Sequence, residues 1–583
     1  MKHWTRLLAF VLVIAVLGAS SLPLSAQSGA GQGGIIIDAN ANKGTDVATM
    51  NPLLNNDVYS ALITGLLFPT LVGIDPEKGN FAPDARGGLT KSWDVSSDGL
   101  TITYHLRDDY KWSDGTPVTA QDFIYSYNAI ASGKTSSPRT DAVDVIDSVS
   151  SPDDYTLVIK YKTPACNNID ETNEIVPVPA HVLQQQIGSD YSKMDKADFN
   201  TNPTVSDGVF NFSQLVPGQQ VSLQASTVYP DTLNGAVNPT GFIYKNVDDV
   251  DVALQQFEAG DLNLMDVFTD IPPQNFPDLR AKSASGDIQT YEQLNNGYEW
   301  LAFNLADPTK PIDGVDADGK PVAQPPHPIF GDVRVRQALA KAVDINAIIQ
   351  GALFGEAVPA TSPSIATSWA FNPDLKPISV DLDAANKMLT DAGWIDDDNN
   401  PDTPRVAKGA KYAPDGTKLA FSLITSASDS TVVAVGQLIQ DQFKKVGAQV
   451  DFQAIDFNTA VQKLVGQTFD TALLGWSLSY PDNPDFGFAF NASNDKVGGG
   501  FNFVSYYNQD VTDLLSQANN LPGCDPTGRA KLYQQAQEKL VADQPYIFLY
   551  TSKAMIAASS KLDGFKPYPN QLFWNVDTWN LAP

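Results

Sequence analysis

The residue types that carry most enzyme chemistry are scarce in this chain of 583 residues. Its four histidines are His3, His105, His181 and His327, and none of them begins the HxxxH or HxE pattern that brings ligands together on a catalytic metal. The sequence also lacks the GxSxG motif, which holds a serine nucleophile on a sharp turn. It therefore predicts a protein that is not an enzyme and that needs no cofactor.

One stretch of the sequence resembles a metal site. Carboxylates and amides alternate after residue 395, as they do in the first half of a calcium loop, where the oxygens converge on the ion. The central glycine of such a loop is replaced by Pro401, and the bidentate glutamate by Ala407. Two alternatives stay open, a weak calcium site and a plain solvated loop. The four candidate ligands are Asp396, Asp398, Asn400 and Asp402.

The chain is strongly acidic, with 67 aspartates and glutamates, 38 lysines and arginines, and a formal net charge of -29. A protein that binds nucleic acid needs a basic surface that displaces counterions from the phosphates, so this composition argues against nucleic acid as a partner. A large charge of one sign also keeps copies of a protein apart. We therefore expect a monomer.

Residues 1–26 have the composition of a secretory signal peptide. Lys2 and Arg6 precede an apolar run at residues 7–17, which is shorter than the roughly 20 residues that span a bilayer. No cysteine lies near the end of this leader, so the lipid attachment of bacterial lipoproteins has no acceptor. The glycine-rich residues 27–34 follow as a flexible tail. The sequence predicts an exported protein, in the periplasm or outside the cell, that is not a lipoprotein.

The elements that must position any site alternate irregularly between strands and helices, which predicts an α/β fold with mixed sheets. Between residues 93 and 123, an Asp-Gly turn, an alternating strand, a second turn and a helix start follow one another. Thr119 is the candidate N-cap of that helix, with Asp122 at the position where a capping box prefers Glu or Gln. This order and spacing resemble the signature of family 5 of the bacterial solute-binding proteins, the receptors of peptide and nickel importers.

Further segments resemble the same family. Residues 333–344 carry apolar side chains at helical spacing and predict an amphipathic helix. The resemblance covers essentially the whole chain after the leader. The other predicted elements are strands at 419–423, 450–455 and 546–550 and helices at 432–446 and 530–540.

Members of this family have two lobes that close on a ligand, and a membrane permease binds the closed form. The resemblance implies the two-lobed periplasmic-binding-protein fold of type II, similar to the large cluster C, with mixed sheets and a ligand cleft between the lobes. The boundaries that it implies are 35–289 for lobe 1, 290–555 for lobe 2 and 556–583 for a segment that returns to lobe 1.

The resemblance also bears on the two cysteines of the chain, Cys166 and Cys524, which fall in different lobes. A covalent bond between lobes that must open would oppose the function that the family has. We therefore expect two unpaired, buried thiols.

One wall of the implied cleft lies at residues 474–486. In peptide-binding relatives, the strand after the matching Gly-Trp pairs with the peptide backbone, and an aspartate three residues after the Trp pairs with the ligand's amino terminus. That position is Ser479 here, and a hydroxyl cannot neutralise a buried ammonium. Asp482 either replaces the missing carboxylate or only forms a turn. The candidates on this wall are Trp476, Ser477, Ser479, Tyr480 and Asp482.

The resemblance places the opposing wall just after residues 50–52. Strand alternation puts Leu301 and Phe303 on a core face and Asn304 on the other, where it is either a ligand contact or a structural residue. Trp369 is a further aromatic candidate for stacking. The candidates outside the Trp476 wall are thus Asn55, Asp57, Tyr59, Asn304 and Trp369.

The resemblance implies a solute-binding protein that delivers a ligand to the transmembrane subunits of an ABC importer. A peptide-like ligand is expected, and nickel is disfavoured because no histidine lies near Trp476. An oligosaccharide stays open as an alternative, because sugars need aromatic platforms and amide hydrogen bonds but no charged partner. A receptor that signals to a sensor and transports nothing is an alternative of another class.

Overall fold

The computed structural model describes residues 33–41, 46–398, 400 and 402–582. The predicted leader at 1–26, and all but the last two residues of the predicted tail at 27–34, lie outside these ranges. Within the described ranges, no helix has the length and apolar character needed to cross a membrane.

Strands and helices alternate along the whole of the described chain. The strands are β1 (Ile35–Asn40), β2 (Ile74–Asp75), β3 (Asn80–Phe81), β4 (Thr90–Val95), β5 (Thr101–Leu106), β6 (Ile146–Asp153), β7 (Thr156–Tyr161), β8 (Phe210–Val216), β9 (Gln220–Ala225), β10 (Gly241–Asn246), β11 (Leu264–Met265), β12 (Ile288–Leu294), β13 (Gly297–Phe303), β14 (Ala357–Pro359), β15 (Trp394–Ile395), β16 (Val406–Ala407), β17 (Ala420–Ser426), β18 (Gln449–Ile455), β19 (Thr471–Ser477), β20 (Tyr546–Ser559), β21 (Leu562–Asp563) and β22 (Asn580–Leu581). The helices are α1 (Val58–Leu67), α2 (Ala120–Ala131), α3 (Thr140–Asp144), α4 (Asn168–Asn173), α5 (Ala180–Ile187), α6 (Val250–Ala259), α7 (Phe276–Ser285), α8 (Val333–Ala342), α9 (Ile345–Ala352), α10 (Leu382–Asp391), α11 (Ser430–Lys444), α12 (Phe457–Val465), α13 (Gly487–Phe490), α14 (Gln509–Asn519) and α15 (Pro526–Asp543).

The first lobe contains two four-stranded sheets, in the orders β1-β10-β9-β8 and β4-β5-β7-β6. Both contribute to one continuous core, in which the largest buried side chains include Tyr104, Trp112 and Phe210. Trp579, near the end of the chain, is buried in the same core. The C-terminal segment therefore packs against the first lobe.

The second lobe is built around the larger part of an eight-stranded sheet in the order β11-β20-β13-β19-β17-β18, with β12 and β14 also paired to β20. Side chains of β13 alternate between its two faces. Leu301 and Phe303 pack in a core with α8, α9, α10 and α11, whereas Trp300 and Ala302 pack in a second core with α13, α14 and α15. Helices thus cover both faces of the sheet, which is the α/β arrangement that the sequence predicts.

Strand β20 joins the two lobes. Its first half pairs with β13 and β14 of the second lobe, and its second half pairs with β11 and β12. Ile547 and Leu549 lie in a second-lobe core, whereas Ile556 and Ala558 lie in the core of the first lobe. One continuous strand therefore crosses from one lobe to the other.

The elements predicted from the sequence are confirmed, with different ends. Helix α8 ends at Ala342 because Asp344 caps the next helix and accepts a hydrogen bond from Ala347 N at 2.9 Å. Strand β20 continues past residue 550 because its later residues enter the other lobe. The N-terminus of α2 has the predicted capping box, in which Asp122 Oδ2 accepts from Thr119 N at 2.9 Å.

The prediction of two unpaired thiols is wrong. Cys166 and Cys524 form a disulfide, with their Cα atoms 5.5 Å apart. The loop before α4 of the first lobe lies directly on the connection between α14 and α15 of the second, where Cys166 N donates to Asn519 O at 2.8 Å. The prediction failed because it assumed that no covalent bond joins the lobes, whereas here the two loops are in contact.

Removing this disulfide should lower the stability of the folded protein, and a comparison of single and double cysteine variants shows whether the bond is the cause. A cross-link that closes so long a loop limits the unfolded chain, and losing it typically costs about 2–5 kcal/mol. Because one sulfur cannot form the bond alone, Cys166→Ser, Cys524→Ser and the double variant should lose the same amount in thermal or denaturant unfolding. Losses that add up in the double variant would contradict the pairing, as would two reactive thiols in the denatured, unreduced wild type.

Candidate ligand-binding cleft

A cleft with a volume of about 1190 Å³ lies between the two lobes. Cavities that hold small molecules are typically about 300–1,000 Å³. Helix α1, the loop at residues 266–270 and the C-terminal residues 570–576 line the cleft, together with β13 and β19 of the second lobe. It is therefore large enough to enclose a ligand bigger than a typical small molecule.

Strand β19 presents one open edge to this cleft. Strand β13 pairs with β19 along its whole length, whereas β17 pairs only with its first three residues. Leu478 N donates to Asn296 O at 2.8 Å on the β13 side, so alternation directs the N–H and C=O groups of Gly475 and Ser477 to the other side. Both residues line the cleft. An extended chain can therefore add to this edge as a further strand.

Aromatic side chains form much of the cleft wall. The half-buried ring of Trp476 stacks on Phe503 with centroids 5.5 Å apart and meets Phe488 edge-on at 5.2 Å. On the first-lobe wall, Tyr59 and Phe268 form an edge-to-face pair at 6.1 Å. Because its neighbours fix the orientation of the Trp476 ring, it is a rigid platform for a flat or apolar group.

Tyr480 brings the lobes into contact at one side of the cleft. Its hydroxyl lies over Gly79, in the turn between β2 and β3 of the first lobe, where a Cβ atom would be only 2.8 Å from Tyr480 Oη. Gly79 also has a φ of 66°, which favours glycine. The contact therefore depends on the missing side chain at this turn.

The charged groups that line the cleft in the described part of the chain are mostly acidic. Asp266, Asp270 and Glu299 are carboxylates, and Arg86 is the cation. The Arg86 guanidinium forms an ion pair with the buried Asp577, Nη2 to Oδ1 2.5 Å, and donates to backbone carbonyls. It is therefore engaged within the first lobe, and the described residues of the cleft lining offer a ligand carboxylates and no uncommitted cation.

Asp266 is fully buried and has a structural role. Its Oδ1 accepts hydrogen bonds from Phe268 N at 2.8 Å and Thr269 N at 3.1 Å, which hold the loop that carries the aromatic pair. Asp38 is buried beside it, and burial raises the pKa of both carboxyls. A carboxyl with no exposed surface cannot meet a ligand, so Asp266 supports the wall from behind.

Glu299 lies at the middle of the second-lobe wall and is partly accessible. It is opposite Gly475 of β19 and Tyr550 of β20 in the sheet register, and both of these neighbours line the cleft as well. Burial raises the pKa of Glu299 to about 8, and the nearby Asp429 carboxylate contributes to this shift.

The structure brings four of the ten sequence-predicted ligand residues to the cleft lining: Tyr59, Trp476, Ser477 and Tyr480. It buries Asn55 and Asn304 inside the lobes and places Asp57 at the start of α1. Asn55 Nδ2 donates to Thr64 Oγ1 at 2.8 Å, Asp57 caps α1 by accepting from Ser60 N at 2.7 Å, and Asn304 Nδ2 donates to two backbone carbonyls.

The remaining three candidates, Trp369, Ser479 and Asp482, lie outside the cleft lining and form hydrogen bonds within the second lobe. Asp482 Oδ2 accepts from Ser368 Oγ at 2.6 Å and from Trp369 N at 3.1 Å, and Trp369 Nε1 donates to Asp482 O at 3.0 Å. Ser479 Oγ accepts from Asn483 N at 3.3 Å. The Asp482 carboxylate is thus engaged in hydrogen bonds within the second lobe.

The loop at residues 396–402 forms contacts of its own, although Asn399 and Pro401 lie outside the described residues. Both Asp398 carboxylate oxygens accept from Thr403 Oγ1, and Asp402 pairs with Lys444 at 2.6 Å. In the described part of the chain, no three His, Cys, Asp or Glu side chains converge as metal ligands.

Sequence reasoning missed Asp270, Glu299, Phe268 and Tyr550, all of which line the cleft. A signal existed for Glu299. It has the same strand parity as Leu301 and Phe303, which the alternation assigns to a core face, and an acidic residue at a core position is unusual. The other three could not be placed, because only the three-dimensional fold brings their loops and strands to the cleft.

Comparisons with known proteins agree with this architecture. The family model for bacterial extracellular solute-binding proteins, family 5, middle region, matches residues 84–498. The oligopeptide-binding protein AppA of Bacillus subtilis is 26% identical over 595 residues, covering 100% of this chain and 99% of AppA. The probable deoxycholate-binding periplasmic protein YgiS of Escherichia coli is 24% identical, covering 90% of each chain.

Solved structures match the fold over nearly the whole chain. The structure of Bacillus subtilis AppA in complex with a nonapeptide superposes with a TM-score of 0.73 at 24% identity, covering 95% of this chain and 100% of AppA. That of NikZ from Campylobacter jejuni in complex with Ni(L-His) superposes with a TM-score of 0.72 at 24% identity, covering 94% and 99%. The fold is thus the mixed α/β, two-lobed fold of the large cluster C binding proteins.

Acidic groups of both lobes meet beside the disulfide. Asp170 and Glu171 of α4 lie near Asp482 and Asp485 of the second lobe, with Arg529 as the cation close to Asp170. Burial, with added repulsion from neighbouring carboxylates, raises the pKa of Asp170 to about 6 and that of Glu171 to about 7. The contact between the lobes is therefore more favourable when these groups are protonated.

This acidic contact should make stability depend on pH. Because the pKa values of Asp170 and Glu171 are raised in the folded state, their protonated forms contribute to the free energy of unfolding. This contribution is complete below about pH 4 and is lost as the pH rises to about 7. The variant Asp170→Asn/Glu171→Gln should match wild type at about pH 4 and melt higher above about pH 7, by about 1 °C for each kcal/mol of repulsion removed.

The control for this experiment is Asp318→Asn, which changes an exposed aspartate in a second-lobe loop. It should follow the wild-type melting temperature at every pH. A constant difference between the double variant and wild type from pH 4 to 8 would contradict the role of the two acids.

Proposed function

Since the chain belongs to family 5 of the bacterial extracellular solute-binding proteins, we propose that it captures a peptide-like ligand between its closing lobes and delivers it to an ABC permease. It is a non-enzymatic solute-binding protein of an ABC transporter. The proposal concerns its ligand and its delivery to the transmembrane subunits.

The observation that carries the peptide proposal is the open edge of β19. Gly475 and Ser477 direct backbone donors and acceptors into the cleft, where β17 no longer pairs with the strand. A peptide in extended conformation satisfies such groups with its own backbone, whatever its side chains are. The volume of about 1190 Å³ leaves room for several residues in this position. The relative AppA, whose structure holds a nonapeptide, supports the same proposal.

We propose Tyr59, Trp476, Ser477 and Tyr480 as ligand contacts, because they line the cleft. We also propose lobe boundaries of 35–289 and 290–555, with 556–583 returning to lobe 1. The separate hydrophobic cores and the burial of Trp579 in the first-lobe core support them. Export without a lipid anchor, and a monomeric state, complete the proposal.

An oligosaccharide is the second candidate ligand. The Trp476 ring is held rigidly by Phe503 and Phe488, and such a platform suits the flat face of a sugar. The residue at the amine-binding position of peptide receptors is Ser479, which brings no charge. Sensing without transport is an alternative role, and importer genes beside this one would argue against it.

Thermal unfolding of the exported form against peptide and oligosaccharide pools tests the proposal. A ligand at a thousandfold excess over its Kd adds about 4 kcal/mol of stability. We expect peptides of several residues to raise the Tm. A shift with oligosaccharides alone would overturn the peptide proposal.

A matched pair of tryptophan variants tests the place of binding. Trp476→Ala removes the cleft platform and should weaken ligand binding about tenfold or more, as buried aromatic contacts do. Trp369→Ala removes a ring outside the cleft lining and should leave the Kd unchanged. Calorimetric titration measures both, and equal losses in the two variants would contradict binding at Trp476.

A further inference from the structure

Glu299 is held in an unusual environment for a carboxylate. In the register of the sheet it lies between Gly475 on one side and Tyr550 on the other. A Cβ atom at position 475 would overlap Glu299 Oε1, so the carboxyl group rests over the bare backbone of β19. The missing side chain at Gly475 therefore places this carboxyl beside the open edge of β19, where a ligand would bind.

The carboxyl of Glu299 lacks the partners that a buried acid needs. Its Oε2 atom is inaccessible and has no hydrogen-bond partner in the described part of the chain. A buried polar atom without a partner costs about 1–3 kcal/mol, and more when it is charged. Because Glu299 lies in the cleft wall, a donor group of a bound ligand can supply the missing partner of its carboxyl.

The charges around Glu299 favour a cation as that partner. Asp429 caps α11 by accepting from Thr431 N at 2.8 Å, and its carboxylate raises the pKa of both Glu299 and Asp270. Asp270 itself lines the cleft. The cleft cation Arg86 is committed to Asp577. Among the residues that the structure describes, carboxylates without a free cation therefore lie at this end of the cleft.

The other acidic candidates are unavailable to a ligand. Asp482 accepts hydrogen bonds from Ser368 and Trp369 and lies outside the cleft lining. Asp266 lines the cleft but has no exposed surface. Glu299 is partly accessible, has an unpartnered oxygen and lies beside the open strand edge.

We infer that Glu299 and its acidic surroundings form a subsite for a cationic nitrogen group of the ligand, an ammonium or a guanidinium. The inference rests on the proposed function and specifies the ligand of that site. Two sources supply the same chemistry, the amino terminus of a peptide and a basic side chain. Glu299 then provides the carboxylate that Ser479 cannot, from a neighbouring strand.

This subsite has a pH signature. The titratable groups that interact with Glu299 are Tyr550 on β20 and Asp429 at the start of α11, and Asp429 also interacts with Asp270 on the first-lobe loop. Burial raises the pKa of Glu299 to about 8, so the free protein holds a proton there at neutral pH. A bound cation favours the ionised carboxylate, and binding therefore releases that proton.

The test compares wild type with Glu299→Gln, which keeps the shape of the side chain and removes its charge. The probes for calorimetry are tetra-alanine, its N-acetylated form, an N-acetylated tetrapeptide with one arginine, and chitosan and chitin trimers, the amine-bearing and acetylated forms of one sugar. We expect the probes with a cationic nitrogen to lose about tenfold or more in affinity in the variant, and the acetylated probes without one to lose nothing. The two peptide arms separate an amino terminus from a basic side chain.

Proton release on ligand binding is a quantity that a merely structural role of Glu299 would not affect. Titration of the arginine peptide at pH 7 in buffers of different ionisation enthalpy should show about one proton released per ligand bound in wild type and none in Glu299→Gln. The affinity of the arginine peptide, whose charge is constant, should rise by up to about tenfold per pH unit below pH 8 in wild type and stay flat in the variant.

The outcomes separate this inference from the proposed function. Peptides that bind wild type and the variant equally well would overturn the subsite and leave the peptide proposal standing. Glu299-dependent binding of chitosan alone would support the subsite and overturn the peptide proposal. If no cationic probe binds wild type better than the variant, the subsite is wrong.

Discussion

The structure depends on how the backbone of β19 is paired. Its first residues are enclosed by β13 and β17 and lie between two helical layers, so every backbone group there has a strand partner. Beyond Leu473 the β17 edge ends, and Gly475 and Ser477 direct their polar groups into the space between the lobes. Because backbone groups removed from water need partners, this edge is a binding surface for a further strand. The aromatic wall, the acidic end and the lobe contacts are all arranged around it.

The two lobes around this edge are coupled at more than one place. Strand β20 runs continuously from the second-lobe cores into the first-lobe core, and the disulfide joins the lobes on the side of α4. Tyr480 meets the first-lobe turn at Gly79. A lobe movement that opens the cleft must therefore separate the Tyr480 contact, while the disulfide keeps the loops at Cys166 and Cys524 joined.

Much of the fold could be predicted from the sequence, because local patterns determine it. The turn, strand and capped helix at residues 93–123 indicated the family, apolar periodicity located α8, and helices were also predicted where α11 and α15 lie. The ends of elements were less predictable. Helix α8 ends early because Asp344 caps α9, and β20 is long because it crosses between lobes, a tertiary fact that no local pattern contains.

The site was predictable only in part, for reasons that differ between residues. Trp476, Ser477 and Tyr480 follow from the Gly-Trp motif on a recognisable strand, whereas Asn304 and Asn55 satisfy groups inside the lobes. Amide side chains serve buried backbone and ligands equally well, so their type alone does not assign them. The disulfide was predicted wrongly because its two loops are 358 residues apart in sequence and meet only in the fold. Glu299 owes its environment to the absence of a side chain at Gly475, on another strand.

Amide hydrogen exchange at β19 tests the central claim most directly. In the free protein, the Gly475 and Ser477 amides at the open edge should exchange faster than the Trp476 amide, which faces β13. The account predicts that a saturating ligand slows exchange at Gly475 and Ser477 and leaves Trp476 little changed, because a bound chain takes the place of a neighbouring strand. Ligand-induced protection elsewhere in the cleft with no change at Gly475 and Ser477 would contradict it.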